Sequence, residues 1–368
     1  MNNLKNSILN NCLIFSKLLF LLLVINTFIF LIFFLNKYSK LKIGVVGLRH
    51  EANIGNNLLK YAMFTKLKEL GYIPYIIGTL WEKYNNIEFI NQTANIVIIK
   101  NNFSEIKMND YNILIVNSDQ TWVKFDNNFY DYGFLKFAEN WTTPRFVYGA
   151  SIGGDYWKLS KKDEGIAKIL LKKFSGISIR EKDSFDLIKK HLKINPEIVL
   201  DPTFLIDKQY YLNLIKDYKG NILDNNKYIF TYIISQCSFT FDLMQNASKI
   251  LNLKTHYLFL NNNSSVRSFL YNLINSKCVI TNSFHGTVFA IIFNKPFISV
   301  YSNKRKTRFN SLRSLLNISQ RLVLKGKKPN YNLLMQPLNI NYQKLKALKQ
   351  KSINFLKKNL RYKYNYYY

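Results

Sequence analysis

Ser283, His285 and Gly286 share one short polar turn, and that turn is where this sequence could most readily do chemistry. Before it, Cys278-Val279-Ile280-Thr281 reads as a buried strand. After it, Thr287 to Phe293 reads as a short apolar helix, stopped at Asn294-Lys295-Pro296, and Phe297-Ile298-Ser299-Val300-Tyr301 reads as the next strand. Strand, helix and strand in that order imply a parallel sheet. Ligands of open parallel sheets bind in the loops beyond the carboxyl ends of the strands. A helix N-terminus in such a loop offers free N–H groups and a positive dipole end to an anion. Gly286 lets a ligand approach the backbone, and His285 can move a proton near neutral pH. The alternative is local: His285 near a helix cap, making one hydrogen bond. Spacing alone leaves both open.

The same logic marks other strand ends. Arg180 follows the Ile177-Ser178-Ile179 strand, and Asp119 and Gln120 follow the strand Ile113 to Val116. Asn53, Gly55 and Asn56 occupy a strand-to-helix turn, and asparagine both donates and accepts hydrogen bonds. Lys304, Arg305 and Arg308 follow the strand that ends at Tyr301. Each has a plainer reading. Arg180 could pair with Glu181 or Asp183, Asp119 could cap its turn, and the three cations could be solvated surface. Trp122 could offer a stacking face or fill core.

The elements that must position these residues alternate. Ile43 to Gly47, Tyr72 to Ile77 (interrupted by Pro74), Ile96 to Ile99, Ile113 to Val116, Phe146 to Ala150 and Ile177 to Ile179 read as strands. Leu58 to Leu70, Asp163 to Phe174 and Lys182 to Leu192 read as helices. A second run has strands at Tyr228 to Ile234 and His256 to Leu260, with helices at Phe241 to Leu251 and Val266 to Ser276. Two alternating runs predict an α/β protein with two Rossmann-like, doubly wound domains. The polar stretch 207–227 marks the boundary. The expected division is 1–40, 41–210, 211–335 and a basic C-terminal helix or tail, 336–368.

The segment 1–40 reads as a membrane anchor. Leu18 to Leu35 carries no charge, which is close to the minimum for a spanning helix. No small-residue cleavage site follows it, and lysines after it outnumber those before, which predicts a single pass with the main body in the cytoplasm. The whole chain has 52 Lys and Arg against 22 Asp and Glu, a formal charge of +30. That excess favours anionic substrates or surfaces, although biased composition also contributes. The basic residues are dispersed and form no nucleic-acid module, so nucleic acid is not the expected partner. Three scattered cysteines give neither a disulfide framework nor a zinc site, and no Gly-x-Gly-x-x-Gly fingerprint calls for a nicotinamide. No cofactor or metal is expected.

Several motifs together resemble one family. Thr281-Asn282-Ser283-Phe284-His285-Gly286 with Phe293-Asn294-Lys295-Pro296-Phe297 is similar to the C-terminal signature of the polysaccharide pyruvyl transferase family. Asn53-Ile54-Gly55-Asn56-Asn57 with Tyr61-Ala62 resembles its first loop and helix. Asn117-Ser118-Asp119-Gln120-Thr121-Trp122 resembles its Gly-Ser-Asp-Gln-x-Trp element, with Asn117 in place of glycine. Tyr148 to Gly153, Ser178 to Glu181 and Asp201 to Leu205 resemble the elements between, in the family's order. The resemblance implies a GT-B-like pair of Rossmann-like domains about a cleft. It also implies transfer of pyruvate from phosphoenolpyruvate to sugar hydroxyls of a glycan or lipid-linked precursor, forming a ketal.

That chemistry needs cations for a carboxylate and a phosphate, and an acid and a base. The expected catalytic residues are His285 and Asp119. Arg180, facing the cleft from the first domain, and Ser283, Gly286, Arg305 and Arg308 of the second are expected to bind the donor. Asn53, Gly55, Asn56 and Gln120 are expected to meet the acceptor on the first domain's side. The main alternative is a GT-B glycosyltransferase using a nucleotide sugar; a non-catalytic, membrane-anchored glycan-binding protein is the third reading.

Overall fold

The computed structural model describes residues 21–22, 24–27, 40–47, 53–79, the backbone of 95–99, and 103–220, 227–259, 265–303 and 306–361. The chain forms two units, Met1–Leu41 and Lys42–Tyr368. In the first, residues 21–22 and 24–27 are helical and exposed. Among the described residues, no helix is long and apolar enough to cross a membrane. Most of the run from Leu18 to Leu35, expected to be a spanning helix, lies outside them.

The second unit carries two parallel sheets. The first has seven strands: β1 (Lys42–Val46), β2 (Ile73–Thr79), β3 (Asn95–Ile99), β4 (Ile113–Val116), β5 (Arg145–Ala150), β6 (Gly176–Ile179) and β7 (Glu197–Ile198). Their order is β3-β2-β1-β4-β5-β6-β7. The second sheet has five: β8 (Tyr228–Ile233), β9 (Lys254–Phe259), β10 (Cys278–Thr281), β11 (Phe297–Tyr301) and β12 (Leu322–Leu324), in the order β12-β11-β10-β8-β9. β4, β5, β8, β10 and β11 are buried at every position, as a sheet covered on both faces demands. Strand order reverses between β1 and β4 in one sheet and between β8 and β10 in the other. Those reversals are where such sheets take ligands.

The helix Ile54–Glu69 lies between the sheets. It is buried from Ile54 to Leu67, and one apolar cluster joins its Ile54, Leu58 and Tyr61 to Phe230, Val288 and Phe289 of the second sheet's layer. The sequence runs apolar or small around much of its circumference because both sides need covering. The Tyr342–Leu360 helix returns to the first sheet. Its Phe355 packs on Phe146 and Tyr148 at 6.1 Å between ring centroids, and its Ser352 Oγ accepts from Leu200 N–H.

Some elements differ from the sequence expectation. β2 runs through Pro74 to Thr79. β7 and β12 were too short to show a pattern, at two and three residues. The helix expected from Lys182 is a 3-10 turn, Lys182–Ser184, followed by the helix Phe185–Leu192.

Candidate active site

Loops from the carboxyl ends of both sheets meet at Arg180. Its side chain is buried, and its guanidinium donates to three carboxylates. Nε donates to Glu181 at 2.8 Å, one terminal nitrogen to Asp201 at 2.7 Å and the other to Asp119 at 2.6 Å. Phe284 of the second sheet's signature turn lies over the guanidinium at 4.9 Å. The Glu181 pairing is the local alternative raised for Arg180; Asp183 instead accepts from Asn310. Arg180 thus organises four loops and has no carboxylate-sized gap left on its donor edge.

His285 stands beside this hub. It is 4% exposed, and its Nε2 lies 3.6 Å from Asp201 Oδ2. That is too long for a hydrogen bond but close enough for charge to matter. Nε2 makes no hydrogen bond among the described residues. The other side of the ring rests on Gly55: a Cβ there would stand 2.1 Å from Nδ1 and 2.4 Å from Cγ. Gly55 is therefore what lets the first sheet's helix seat against the imidazole.

The same turn shows why its small residues are small. Ser283 caps the Phe284–Ile292 helix, its Oγ accepting from Gly286 N–H at 3.2 Å. A Cβ on Gly286 would fall 2.4 Å from Thr281 Oγ1, so glycine there allows helix and strand to pack. Asn282 ties the β8 and β10 loops, accepting from Ile234 N–H and donating to Ser235 O. Asn53 caps the Ile54–Glu69 helix, accepting from the N–H groups of Gly55 and Asn56, and Asn56 is itself buried.

Asp119 is the strained member. Its φ is +86°, a region that costs a residue other than glycine about 1–3 kcal/mol. Hydrogen bonds to its carbonyl from Thr121 N–H and Ser151 N–H hold it there. Gln120 turns onto Gly153, whose Cβ would meet its Oε1 at 2.7 Å. Trp122 fills core, stacked on Phe134, with its indole N–H donated to Gly133 O. Arg308, on the Lys306–Leu316 helix, also reaches the Phe284 ring, at 5.9 Å. Arg305 and Lys304 lie outside the described residues.

Electrostatics separates the three carboxyls. Burial pushes the Asp201 carboxyl up, but His285, Arg180 and Thr203 outweigh it and hold it below the ordinary range. Burial likewise opposes ionisation of Asp119, and Arg180, His285 and Arg308 overcome it. For Glu181 burial wins, and its carboxyl is raised. Sequence reading named neither Asp201 nor Glu181 as a site residue. The signal was present only as motif membership, in Asp201-Pro202-Thr203 and Arg180-Glu181.

Two cavities border this region. One of about 20 Å³ is lined by Arg180, Glu181, Asp201, Phe284 and Arg308 among others. The second, about 300 Å³, lies at the carboxyl ends of β8, β10, β11 and β12, lined by Ser235, Cys237, Asn282, Tyr301, Ser302 and Lys325 among others. No group of three or more His, Cys, Asp or Glu among the described residues is placed to hold a metal.

Comparison with known proteins adds the following. A sequence model of the family described as "Polysaccharide pyruvyl transferase" matches residues 53–304. No curated protein matches. Among solved structures, a co-structure of MnaA with UDP from S. aureus is 14% identical, covering 86% of this chain and 91% of that chain, with a TM-score of 0.50. A UDP-N-acetylglucosamine 2-epimerase is 11% identical over 87% of this chain and 95% of that chain, also with a TM-score of 0.50. At such identities the likeness is one of fold, the GT-B-like pairing of two parallel α/β layers.

Proposed function

We propose a donor and an acceptor for a chain that belongs to the polysaccharide pyruvyl transferase family: it moves pyruvate from phosphoenolpyruvate to two hydroxyls of one sugar in a cell-surface glycan or its precursor. One observation carries the reading. His285 is buried, has no hydrogen-bond partner on Nε2 among the described residues, and sits 3.6 Å from an ionised Asp201. An imidazole held this way can carry a proton to a reacting atom.

The reaction balances as follows. A proton adds to the methylene carbon of phosphoenolpyruvate, and a sugar hydroxyl bonds to the enol carbon. Phosphate leaves with its bridging oxygen, and a second hydroxyl closes the ketal. Of the two hydroxyl protons, one is accounted for in the new methyl group and the other departs with phosphate. His285 is the proton carrier and Asp201 steadies its charged form. Asp119, fixed in a strained turn, orients or deprotonates a hydroxyl. Arg308 supplies the cation for the donor, with Arg305 following the same strand. Arg180 holds Asp119, Glu181 and Asp201 in place and shapes the donor site through them. Ser283 and Gly286 set the helix N-terminus toward the phosphate. Asn53, Gln120 and Asn56 belong to the loops that would meet the acceptor, with Gly55 as the seat for His285.

A second reading keeps the nucleotide-sugar alternative. It is supported by the MnaA–UDP likeness and by the cavity of about 300 Å³ at the second sheet's strand reversal. Ligand-dependent melting separates the two: phosphoenolpyruvate should stabilise the protein and added salt should weaken the effect, because the donor site works by charge. Stabilisation by UDP-sugars without any by phosphoenolpyruvate would favour the second reading. The uncharged run from Leu18 to Leu35 supports a membrane-anchored, single-pass protein with a cytoplasmic catalytic body. Recovery of the full chain wholly in the soluble fraction would rule that out.

A further inference from the structure

Leaving His285 aside, the cluster around Arg180 has more carboxylates than cations. Three carboxylates face one guanidinium, and Arg308 adds a second cation at the wall of the same small cavity. Uncompensated charge is costly in such a place, and a buried carboxyl relieves it by taking a proton. Asp119 and Asp201 are held ionised by Arg180 and His285. Glu181 is placed differently. It is 1% exposed, and its Oε1 accepts from Arg180 Nε. Its Oε2 makes no hydrogen bond among the described residues, and the side chain lines a cavity of about 20 Å³, room for one water.

We propose that Glu181 is the carboxylate of this cluster that takes up a proton, and that binding of an anionic donor at Arg308 drives that uptake. The inference rests on the donor site proposed above. Arg308 is one of the cations that favour the ionised form of Glu181, along with Arg180. A phosphate paired with Arg308 cancels that field, and the carboxylate then takes one proton from solvent. No bond to the donor forms or breaks at Glu181. It is a positioning residue: it absorbs the donor's charge so that the pairing of Asp201 with Arg180 and His285 is undisturbed.

Every element packed there contributes a group. Arg180 comes from the end of β6, Ser151 from the loop after β5 and Asp119 from the loop after β4. Asp201 comes from the loop after β7, His285 and Phe284 from the second sheet's turn, and Arg308 and Ser311 from the Lys306–Leu316 helix. The neighbouring Lys182 and Asp183 turn to that helix, through Ser311 and Asn310.

Two measurements test this. The first compares stability against pH for wild type and Glu181→Gln, which keeps an acceptor for Arg180. A carboxyl raised by folding contributes stability that is complete below its unfolded pKa, about 4.3, and is lost as pH rises through the folded value. Wild type should therefore lose stability relative to Glu181→Gln as pH rises above that point. The second is calorimetry of phosphoenolpyruvate binding in two buffers of different ionisation heat. Wild type should take up a proton, with affinity weakening by up to about tenfold per pH unit, and Glu181→Gln should show less uptake and a flatter profile. Titration of the donor's own phosphate is common to both proteins and cancels. Parallel stability curves, or equal uptake in the two proteins, would overturn the proposal. If Glu181→Gln does not fold, zero uptake by wild type overturns it alone. Diverging stability curves with no phosphoenolpyruvate binding would uphold the proton on Glu181 and remove the donor assignment.

Discussion

Gly55→Ala puts the geometry around His285 to its sharpest trial. The new Cβ would stand 2.1 Å from the imidazole Nδ1, 2.4 Å from Cγ and 2.7 Å from Cβ, where ordinary contact begins near 3.4 Å. The ring must retreat by about 1.3 Å, or the Ile54–Glu69 helix must shift. That helix is buried along nearly its whole length and is held by the cluster that spans both sheets, so the ring is the freer partner. A displacement of that size carries Nε2 away from Asp201. Misplacing a reacting group by about 1 Å costs about a hundredfold in rate, and overpacking costs about 1–3 kcal/mol in stability. Turnover, followed as phosphate released from phosphoenolpyruvate, should therefore fall by about a hundredfold while KM for the acceptor changes little. The melting temperature should drop modestly. Were Gly55 instead an acceptor contact, KM would rise and turnover would hold. Wild-type turnover together with wild-type melting would refute the claim that Gly55 seats the imidazole.

Three further outcomes follow from the same structure. His285→Asn keeps a hydrogen-bonding side chain but not a proton carrier, so phosphate release should fall by about a hundredfold or more with melting preserved; near-normal turnover would take His285 off the catalytic list. Asp201 and Asp119 are held below the ordinary carboxylate range, so their contribution to stability is complete above about pH 4 and is lost as pH falls below it. Denaturant titrations should show wild type losing more stability between pH 4 and pH 2 than Asp201→Asn, and equal losses would contradict the charge assignment. Gly165 is an exposed glycine inside the Lys161–Leu171 helix with nothing within 4 Å of an added Cβ. Gly165→Ala should raise stability by about 0.5–1 kcal/mol with activity unchanged, and a loss would mean the helix end is not placed as described.

Much of the fold was legible because parallel strands buried on both faces write themselves as unbroken apolar runs. Ile113-Leu114-Ile115-Val116 and Cys278-Val279-Ile280-Thr281 are plain cases. β7 and β12 were not, since two or three residues carry no period. The helix Ile54–Glu69 was expected, but its burial on both sides could not be read from one strand-to-helix turn, because it depends on a second sheet encoded some two hundred residues later. Of the site, individual strand-end residues stood out, and their partnerships did not. Arg180 could be read as a cation for the donor or as a partner of Glu181 or Asp183, and its bonds to Asp119 and Asp201 could not be read because those residues lie 61 and 21 positions away in sequence. Glu181 was visible only as its neighbour. Glycines were legible as small residues in turns, whereas the specific contact of each, Gly55 on His285 and Gly286 on Thr281, is a product of packing.

The central claim is that the buried His285 serves pyruvyl transfer. It is tested most directly by phosphate release from phosphoenolpyruvate in the presence of a panel of glycan acceptors, with wild type and His285→Ala side by side and UDP-sugars as parallel donors. The account expects acceptor-dependent phosphate release and a ketal-bearing product with wild type, and neither with His285→Ala. Consumption of a UDP-sugar by wild type, with phosphoenolpyruvate untouched across the panel, would contradict it.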